Sequence, residues 1–348
     1  MKKEHILVIR FSAMGDVAMV VPVVWSLARQ YPNVRITVVS RGFASSLFTD
    51  LAPNINFMEA DVKHEYHGIK GLNALYRRLA AKQFTCVADL HGVLRSGYLR
   101  IRFNLNHYQV AHINKHRKGR KRITSVKHKH LEQQPTSFQN YLDVFSKLGY
   151  PVDIQFHSIF PEGGGDLSSL AAPINKKPAE ERWIGIAPFA AHEGKTYPPE
   201  LMQQVIEQLI ERVPKVRIFF FGRGEKEQQY FTEWCQWYPE CVYVGPLVEN
   251  LRQELILMSH LEVMISMDSS NMHLASLTAT PVVSIWGATH PYAGFMGWGQ
   301  SEENVVQIPL DCRPCSIFGK KPCMRGDYAC MRGIAPETIV EKTLNILS

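Results

Sequence analysis

Asp16 ends the turn Ile9-Arg10-Phe11-Ser12-Ala13-Met14-Gly15-Asp16, where a strand-like run gives way to a helix-like one carrying Pro22. A carboxylate at a helix start can cap free N–H groups, or it can face a ligand and act as a general base. Gly15 lets backbone approach a ligand closely, and Ser12 adds a hydroxyl on the same turn. A second segment, Met267-Asp268-Ser269-Ser270-Asn271-Met272-His273, repeats the strand-to-helix pattern. Unpaired N–H groups and the dipole at such a helix start suit a phosphate. His273 lies one turn in, either as a hydrogen-bonded core histidine or as a ligand contact. In Ala187–Pro198 the one cation is Lys195, a surface lysine or a partner for a diphosphate. Glu225, after Phe221-Gly222-Arg223-Gly224, places an acid on a flexible strand end, as a ribose diol would require. Neither G-x-G-x-x-G nor G-x-x-x-x-G-K-[ST] occurs in the chain, so this is neither a dinucleotide fingerprint nor a P-loop.

The elements that must position these residues alternate. Strand-like runs at His5–Phe11, Arg35–Ser40, Ile55–Ala60, Cys86–Leu90 and Tyr108–Ile113 are separated by helix-like runs at Val17–Gln30, Phe43–Leu51, Ile69–Lys82 and Val93–Arg102. Pro135–Leu148 closes this half as a helix stopped by Gly149 and Pro151. The Gly- and Pro-rich stretch after residue 160 interrupts the pattern, which restarts at Trp183. Strands at Trp183–Phe189, Val216–Phe221, Cys241–Val244, Val263–Met267 and Pro281–Ile285 then alternate with helices at Pro199–Arg212, Glu225–Trp237, Glu249–Ser259 and Asn271–Thr278, and Pro336–Leu347 is a last helix. Such alternation implies parallel sheets covered on both faces. The expected plan is α/β: two Rossmann-like doubly wound domains facing across a cleft, at residues 1–165 and 183–348, with 166–182 as linker. In open α/β sheets ligands bind beyond the carboxyl ends of the strands, so the cleft is the expected site.

Composition bounds the class. A chain of 348 residues with 45% hydrophobic and 20% charged residues is neither disordered nor a coiled coil. The longest uncharged apolar run, Val17–Ala28, contains Pro22 and is too short to span a bilayer. The start Met-Lys-Lys-Glu-His has no signal-peptide pattern, and seven cysteines, an odd number, argue against a disulfide framework. A cytoplasmic protein is expected. Cys312, Cys315, Cys323 and Cys330 could hold a structural Zn²⁺, pack as reduced thiols in a compact loop, or pair as disulfides; Cys86, Cys235 and Cys241 read as core positions. Charge is one-sided: residues 1–165 carry +12 and residues 166–348 carry −5. Between Asp89 and Glu132 there are 11 Lys/Arg and no acid. That field is either a solvated face or the footprint of an anionic partner. Near its densest part, Lys115–Arg122, the aromatics are Phe103 and Tyr108, with no stacking pattern, which argues against nucleic acid.

Together these segments resemble the bacterial lipopolysaccharide heptosyltransferases, glycosyltransferase family 9. The resemblance rests on Ser12-Ala13-Met14-Gly15-Asp16 with Pro22, and on Asp89-Leu90-His91-Gly92-Val93-Leu94-Arg95-Ser96. It rests also on Asp268-Ser269 with His273, on Trp286-Gly287-Ala288-Thr289, and on the tail Cys312…Cys330-Met331…Pro336-Glu337. The resemblance implies a GT-B fold whose N-terminal domain takes the acceptor and whose C-terminal domain takes the donor nucleotide, with the last helix returning to the N-terminal domain. It implies an inverting transfer of a heptose from an ADP-sugar to a lipid A-type, inner-core acceptor, needing no metal or other cofactor, at the cytoplasmic face of the inner membrane. Asp16 then matches the base. Lys195, Glu225, Asp268, Ser269, Ser270 and His273 match the donor side. On the acceptor side stand Ser12, Gly15 and Arg95, with the basic run Arg117, Lys118, Arg120 and Lys121 placed to meet acceptor phosphates and the anionic leaflet. The chain departs from the family pattern at Ser270, where glycine is usual, and at Ala190-Ala191, where hydroxyl side chains are common.

Overall fold

The structure, a computed structural model, describes residues 4–348. Its contacts divide the chain into two compact units, residues 1–116 with 135–159, and residues 117–134 with 160–348.

The first unit contains strands β1 (His5–Ile9), β2 (Arg35–Ser40), β3 (Ile55–Glu59), β4 (Cys86–Asp89) and β5 (Gln109–His112). All pair in parallel, in the order β3-β2-β1-β4-β5. β1 is buried along its whole length, as a central parallel strand covered on both faces must be. Helices α1 (Met14–Ala18), α2 (Val20–Gln30), α3 (Gly68–Ala80) and α4 (Leu94–Leu105) follow the strands in turn. The single helix expected from Val17 is broken at Met19. Pro22 has no N–H to bond the Ala18 carbonyl, so the chain starts a second helix there, with the proline tolerated in its first turn. On one side of the sheet Leu7, Ile9 and Phe11 pack with Leu99 and Phe103 of α4. Each such fully buried side chain contributes about 1.5–3 kcal/mol relative to exposure.

The basic run forms a helix that the sequence pattern does not announce, α5 (Arg117–Ile123). It belongs to the second unit, although the expected boundary at residue 165 put it in the first. The Arg120 guanidinium lies 4.5 Å from the centre of the Phe295 ring, and the Gln134 N–H donates to the Tyr292 carbonyl. Gly119 is the residue that admits the Gln134 side chain, whose amide oxygen would sit 1.8 Å from an added Cβ. After this excursion α6 (Ser137–Lys147) returns to the first unit.

The second unit contains β6 (Arg182–Ala187), β7 (Val216–Phe220), β8 (Cys241–Tyr243), β9 (Val263–Met267), β10 (Val282–Ile285) and β11 (Val305–Val306). They form a parallel sheet in the order β8-β7-β6-β9-β10-β11, the strand order of a dinucleotide-binding fold. The helices are α7 (Pro199–Arg212), α8 (Glu225–Trp237), α9 (Leu251–Met258), α10 (Ser270–Leu277), α11 (Ala329–Arg332) and α12 (Pro336–Leu347). Phe220 and Phe231 stack at 5.2 Å in its core beside Trp234. The stretch 166–182, expected as an inter-domain linker, packs on this unit: Lys177 pairs with Glu262 at 2.6 Å, and the Gly165 N–H donates to Ser259 Oγ just before it. The buried face of α12, Ile339 and Val340, belongs to this unit's core, against α7 and β9.

Candidate functional site

Each sheet has one point where the strand order reverses, between β1 and β4 in the first unit and between β6 and β9 in the second. Loops leaving such neighbouring strands diverge and open a crevice. Most of the candidate residues gather at these two points; Glu225, which follows β7, and the basic run on α5 do not.

In the first unit Arg10 leaves β1 and turns inward. Its Nη1 donates to the Leu90 carbonyl at 2.6 Å, and Nη2 meets Asp16 Oδ2 at 2.6 Å. The same oxygen accepts the Ala13 N–H at 3.2 Å. Arg10 is almost fully buried, whereas the Asp16 side chain keeps 29% of its surface exposed. The carboxylate is thus fixed from behind and open in front, at the first turn of α1 as expected, and the Tyr141 hydroxyl donates to the Asp16 carbonyl. From β4 comes Asp89, fully buried, whose Oδ1 accepts the N–H groups of both His91 and Gly92 at 2.9 Å. Gly92 takes φ +57°, and this tight turn swings the His91 ring back toward β1. There Nδ1 accepts the Phe11 N–H at 3.4 Å, and Nε2 lies 3.5 Å from Ser12 Oγ. Burial first, then the charge of Arg10, pushes the His91 pKa down to about 3, so the ring is neutral. Arg95 is exposed at the start of α4, near enough to add to that effect. Gly15 is buried in α1.

In the second unit Lys195 sits in the loop after β6 and Asp268 ends β9. Lys195 Nζ lies 3.0 Å from Asp268 Oδ2, and Thr289 Oγ1 donates to the same oxygen at 2.8 Å. Both partners are largely buried, at 15% and 7% exposure. Ser269 is the residue before α10, with its hydroxyl 3.3 Å from Ser266 Oγ and no hydrogen bond to the helix N–H groups. Ser270 opens the helix, and His273 is buried one turn in. The lysine loop is tied to the loop after β10 by backbone: the Ala288 N–H donates to the Gly194 carbonyl at 2.8 Å. A Cβ on Gly287 would come within 2.7 Å of that carbonyl oxygen, and one on Gly194 within 2.9 Å of the Ala288 Cβ. Glu225 is exposed at the first position of α8, while the turn before it is held by Glu227, which accepts the Gly224 N–H.

Several organising residues escaped the reading of the sequence. Arg10 stands inside a quoted motif, but nothing in its spacing shows that it reaches Asp16. Arg313, buried, donates to the carbonyls of Trp286, Gly287, Thr289 and Ile308 and so fixes the loop that supplies Thr289. Lys129 Nζ donates to the carbonyls of Asp311, Arg313 and Pro314, fastening the basic segment beneath the cysteine-rich loop. In that segment Arg117, Lys118 and Lys121 are exposed and Arg120 is buried against Phe295.

The four cysteines of residues 312–330 line one pocket, and all seven thiols are free. Burial pushes Cys330 up to about 11 and raises Cys315, with the neighbouring thiols adding to both. Among the described residues no three His, Cys, Asp or Glu side chains are disposed to hold a metal ion, so the geometry lends the Zn²⁺ option no support. Nor is any described helix long and apolar enough to cross a membrane.

Two parallel Rossmann-like sheets, each with polar residues at its reversal point, define a doubly wound α/β protein of two units. Comparison narrows it: the model of glycosyltransferase family 9 (heptosyltransferase) matches residues 72–325. The chain therefore belongs to glycosyltransferase family 9. Lipopolysaccharide core heptosyltransferase OpsX of Haemophilus influenzae is 22% identical over 311 residues, which is 83% of this chain and 80% of that protein. Lipooligosaccharide heptosyltransferase 2 of Campylobacter jejuni is 27% identical over 136 residues, 37% of this chain and 40% of that protein. Among solved structures, a family 9 glycosyltransferase of Veillonella parvula matches with a TM-score of 0.74 at 18% identity, over 100% of this chain and 98% of its own. Escherichia coli heptosyltransferase WaaC with ADP matches with a TM-score of 0.67 at 16% identity, over 98% and 99%. These likenesses establish the GT-B fold.

Proposed function

We propose that this protein moves a heptose from ADP-heptose to a lipid A-type, inner-core acceptor of lipopolysaccharide, inverting the anomeric centre, with Asp16 as general base. The observation that carries the reading is the pairing of two unlike sites in one family 9 chain: a half-exposed carboxylate at the first reversal point and a lysine beside a helix start at the second. The family membership, the core heptosyltransferase among its relatives and the ADP complex among its structural neighbours support it.

In this reading the acceptor hydroxyl attacks the anomeric carbon as the bond from that carbon to the ADP oxygen breaks. The hydroxyl proton passes to Asp16, which Arg10 holds in one orientation. The leaving diphosphate gathers charge, and Lys195, the N–H groups at the start of α10 and the helix dipole meet it. Asp268 holds the ammonium at the helix start before the donor arrives. Ser269, Ser270 and His273 line the same turn, and Glu225 stands where the ribose diol would bind. On the acceptor side Ser12, Gly15 and Arg95 stand on the same unit as the base, while Arg117, Lys118 and Lys121, on the second unit, are exposed cations suited to anionic groups at the cytoplasmic face of the membrane. Fixed cations and dipoles replace a metal in this chemistry.

A nucleotide panel tests it. ADP should raise the melting temperature above the shifts given by GDP, UDP and CMP, because only a ligand bound to the native state adds stability. With ADP-heptose and a lipid A-type acceptor, mass spectrometry should find one added heptose. A preference for another nucleotide with no heptose transfer would overturn the donor assignment.

A further inference from the structure

We infer that the outward face of α4 is a docking surface for an anionic lipid bilayer. A helix in a globular unit normally turns one apolar stripe inward and polar residues outward, but α4 has two apolar stripes. Leu99 and Phe103 are fully buried, whereas Leu94 is 94% exposed, Ile101 57% and Leu105 69%. At about 100° per residue the three exposed positions fall within roughly 40° of one another, opposite the buried pair. On α3, which packs beside α4, Ile69 is 73% exposed. It lies one turn before Asn73, whose side chain accepts a hydrogen bond from Arg102 of α4 at 2.8 Å. Four large aliphatic side chains on two adjoining helices thus point into water.

The flanking charge selects the occupant. α3 and α4 carry six Lys/Arg and no Asp or Glu. Arg95 and Arg102 lie along one edge of the exposed stripe and Arg100 along the other. An aliphatic ridge whose flanking charges are all cationic fits a surface that offers acyl chains beneath anionic headgroups. The inference deepens the proposed function and rests on its acceptor being borne by a membrane lipid: the ridge grows from the same helix whose first turn holds Arg95 and follows His91.

The test is sedimentation with vesicles of phosphatidylethanolamine and phosphatidylglycerol, beside vesicles of phosphatidylcholine alone. The wild type should bind the anionic vesicles, less so at high salt. The triple variant Leu94→Gln, Ile101→Gln, Leu105→Gln should lose about tenfold or more in partitioning. Its melting temperature should stay unchanged, and so should its transfer to a delipidated, water-soluble acceptor. If the triple variant is poorly folded, the double variant Ile101→Gln, Leu105→Gln should show the same direction at smaller size. Undiminished binding by folded variants, or no binding by the wild type, overturns the inference. So does a dimer in light scattering that the substitutions dissolve while vesicle binding persists, since the ridge would then meet a second copy of the chain. Vesicle binding without heptose transfer in any arm would instead leave the docking surface standing and sink the proposed reaction.

Discussion

The two reversal points are built alike and tuned apart. Each presents an acid in the turn or helix start that follows a central strand, and each acid meets one cation within 3.0 Å. At the first point the cation is buried and the acid is open. Arg10, anchored on the Leu90 carbonyl, serves Asp16 from below. At the second the acid is the hidden partner: Asp268 is gripped by Lys195 and Thr289, and the lysine lies above it on a loop. The same ion-pair motif therefore holds a carboxylate in place at one site and an ammonium at the other, which suits the proton acceptor and the phosphate partner of the proposed reaction.

The sharpest way to break this comparison is to neutralise the first acid. Asp16→Asn keeps the size and should lower turnover by roughly 10²–10⁴-fold, the usual contribution of a general base. ADP affinity, measured by titration calorimetry, should hardly move. Turnover near that of the wild type would remove Asp16 from the chemistry.

Next in size is the second cation. Lys195→Ala should weaken ADP binding by about 1.5–3 kcal/mol, the worth of a charge-assisted contact. Asp268→Asn, which leaves the lysine in place but loosens its anchor, should weaken binding by less. Equal ADP affinity in wild type and Lys195→Ala would make the lysine purely structural.

A smaller effect should appear in acid. His91 is kept neutral in the fold, its pKa pushed down to about 3, while the unfolded chain protonates the same ring near 6.5. The stability gained from a neutral ring is complete above pH 6.5 and is lost as pH falls from there toward 3. The slope approaches about 1.4 kcal/mol per pH unit. Urea midpoints for His91→Gln should therefore fall less steeply than those of the wild type between about pH 6 and 4. Parallel slopes would show that His91 is not the group titrating.

The smallest expected change lies outside both points. Converting Arg117, Lys118 and Lys121 to Gln should raise the acceptor KM a few-fold at low salt and leave ADP affinity intact. The effect should fade at high ionic strength, since exposed charges act over about 8 Å under physiological conditions. A KM that ignores both the charges and the salt would reduce the run to a solvated face.

Much of this fold was legible because parallel strands buried on both faces read as continuous apolar runs; Ile6–Ile9 and Val263–Met267 are plain in the sequence. The turns that carry Asp16 and Lys195 were legible too, since each follows a strand-like run and polar residues stand out there. What the sequence hid was contact between distant residues. The Arg10–Asp16 pair depends on the Leu90 carbonyl, 80 residues from Arg10. α5 was hidden because seven residues rich in cations and holding Gly119 show no apolar period. Its allegiance to the second unit comes from Phe295, Tyr292 and the carbonyls that Lys129 binds, all far along the chain.

The glycines at 194 and 287 divide the lysine loop into two kinds of sequence. Where Gly194 and Gly287 meet, side chains are excluded, and the root of Lys195 is set by backbone against backbone. Upstream, Ala191 is exposed, whereas Ala190 packs against the core and Glu193 accepts a hydrogen bond from the Tyr328 hydroxyl. The position of the ammonium is thus insulated from what the loop says to the rest of a ligand. An exposed side chain such as that of Ala191 can change without touching the backbone pair that seats the cation. A single methyl group at Gly287, by contrast, would meet the Gly194 carbonyl and shift the loop with every contact that depends on it.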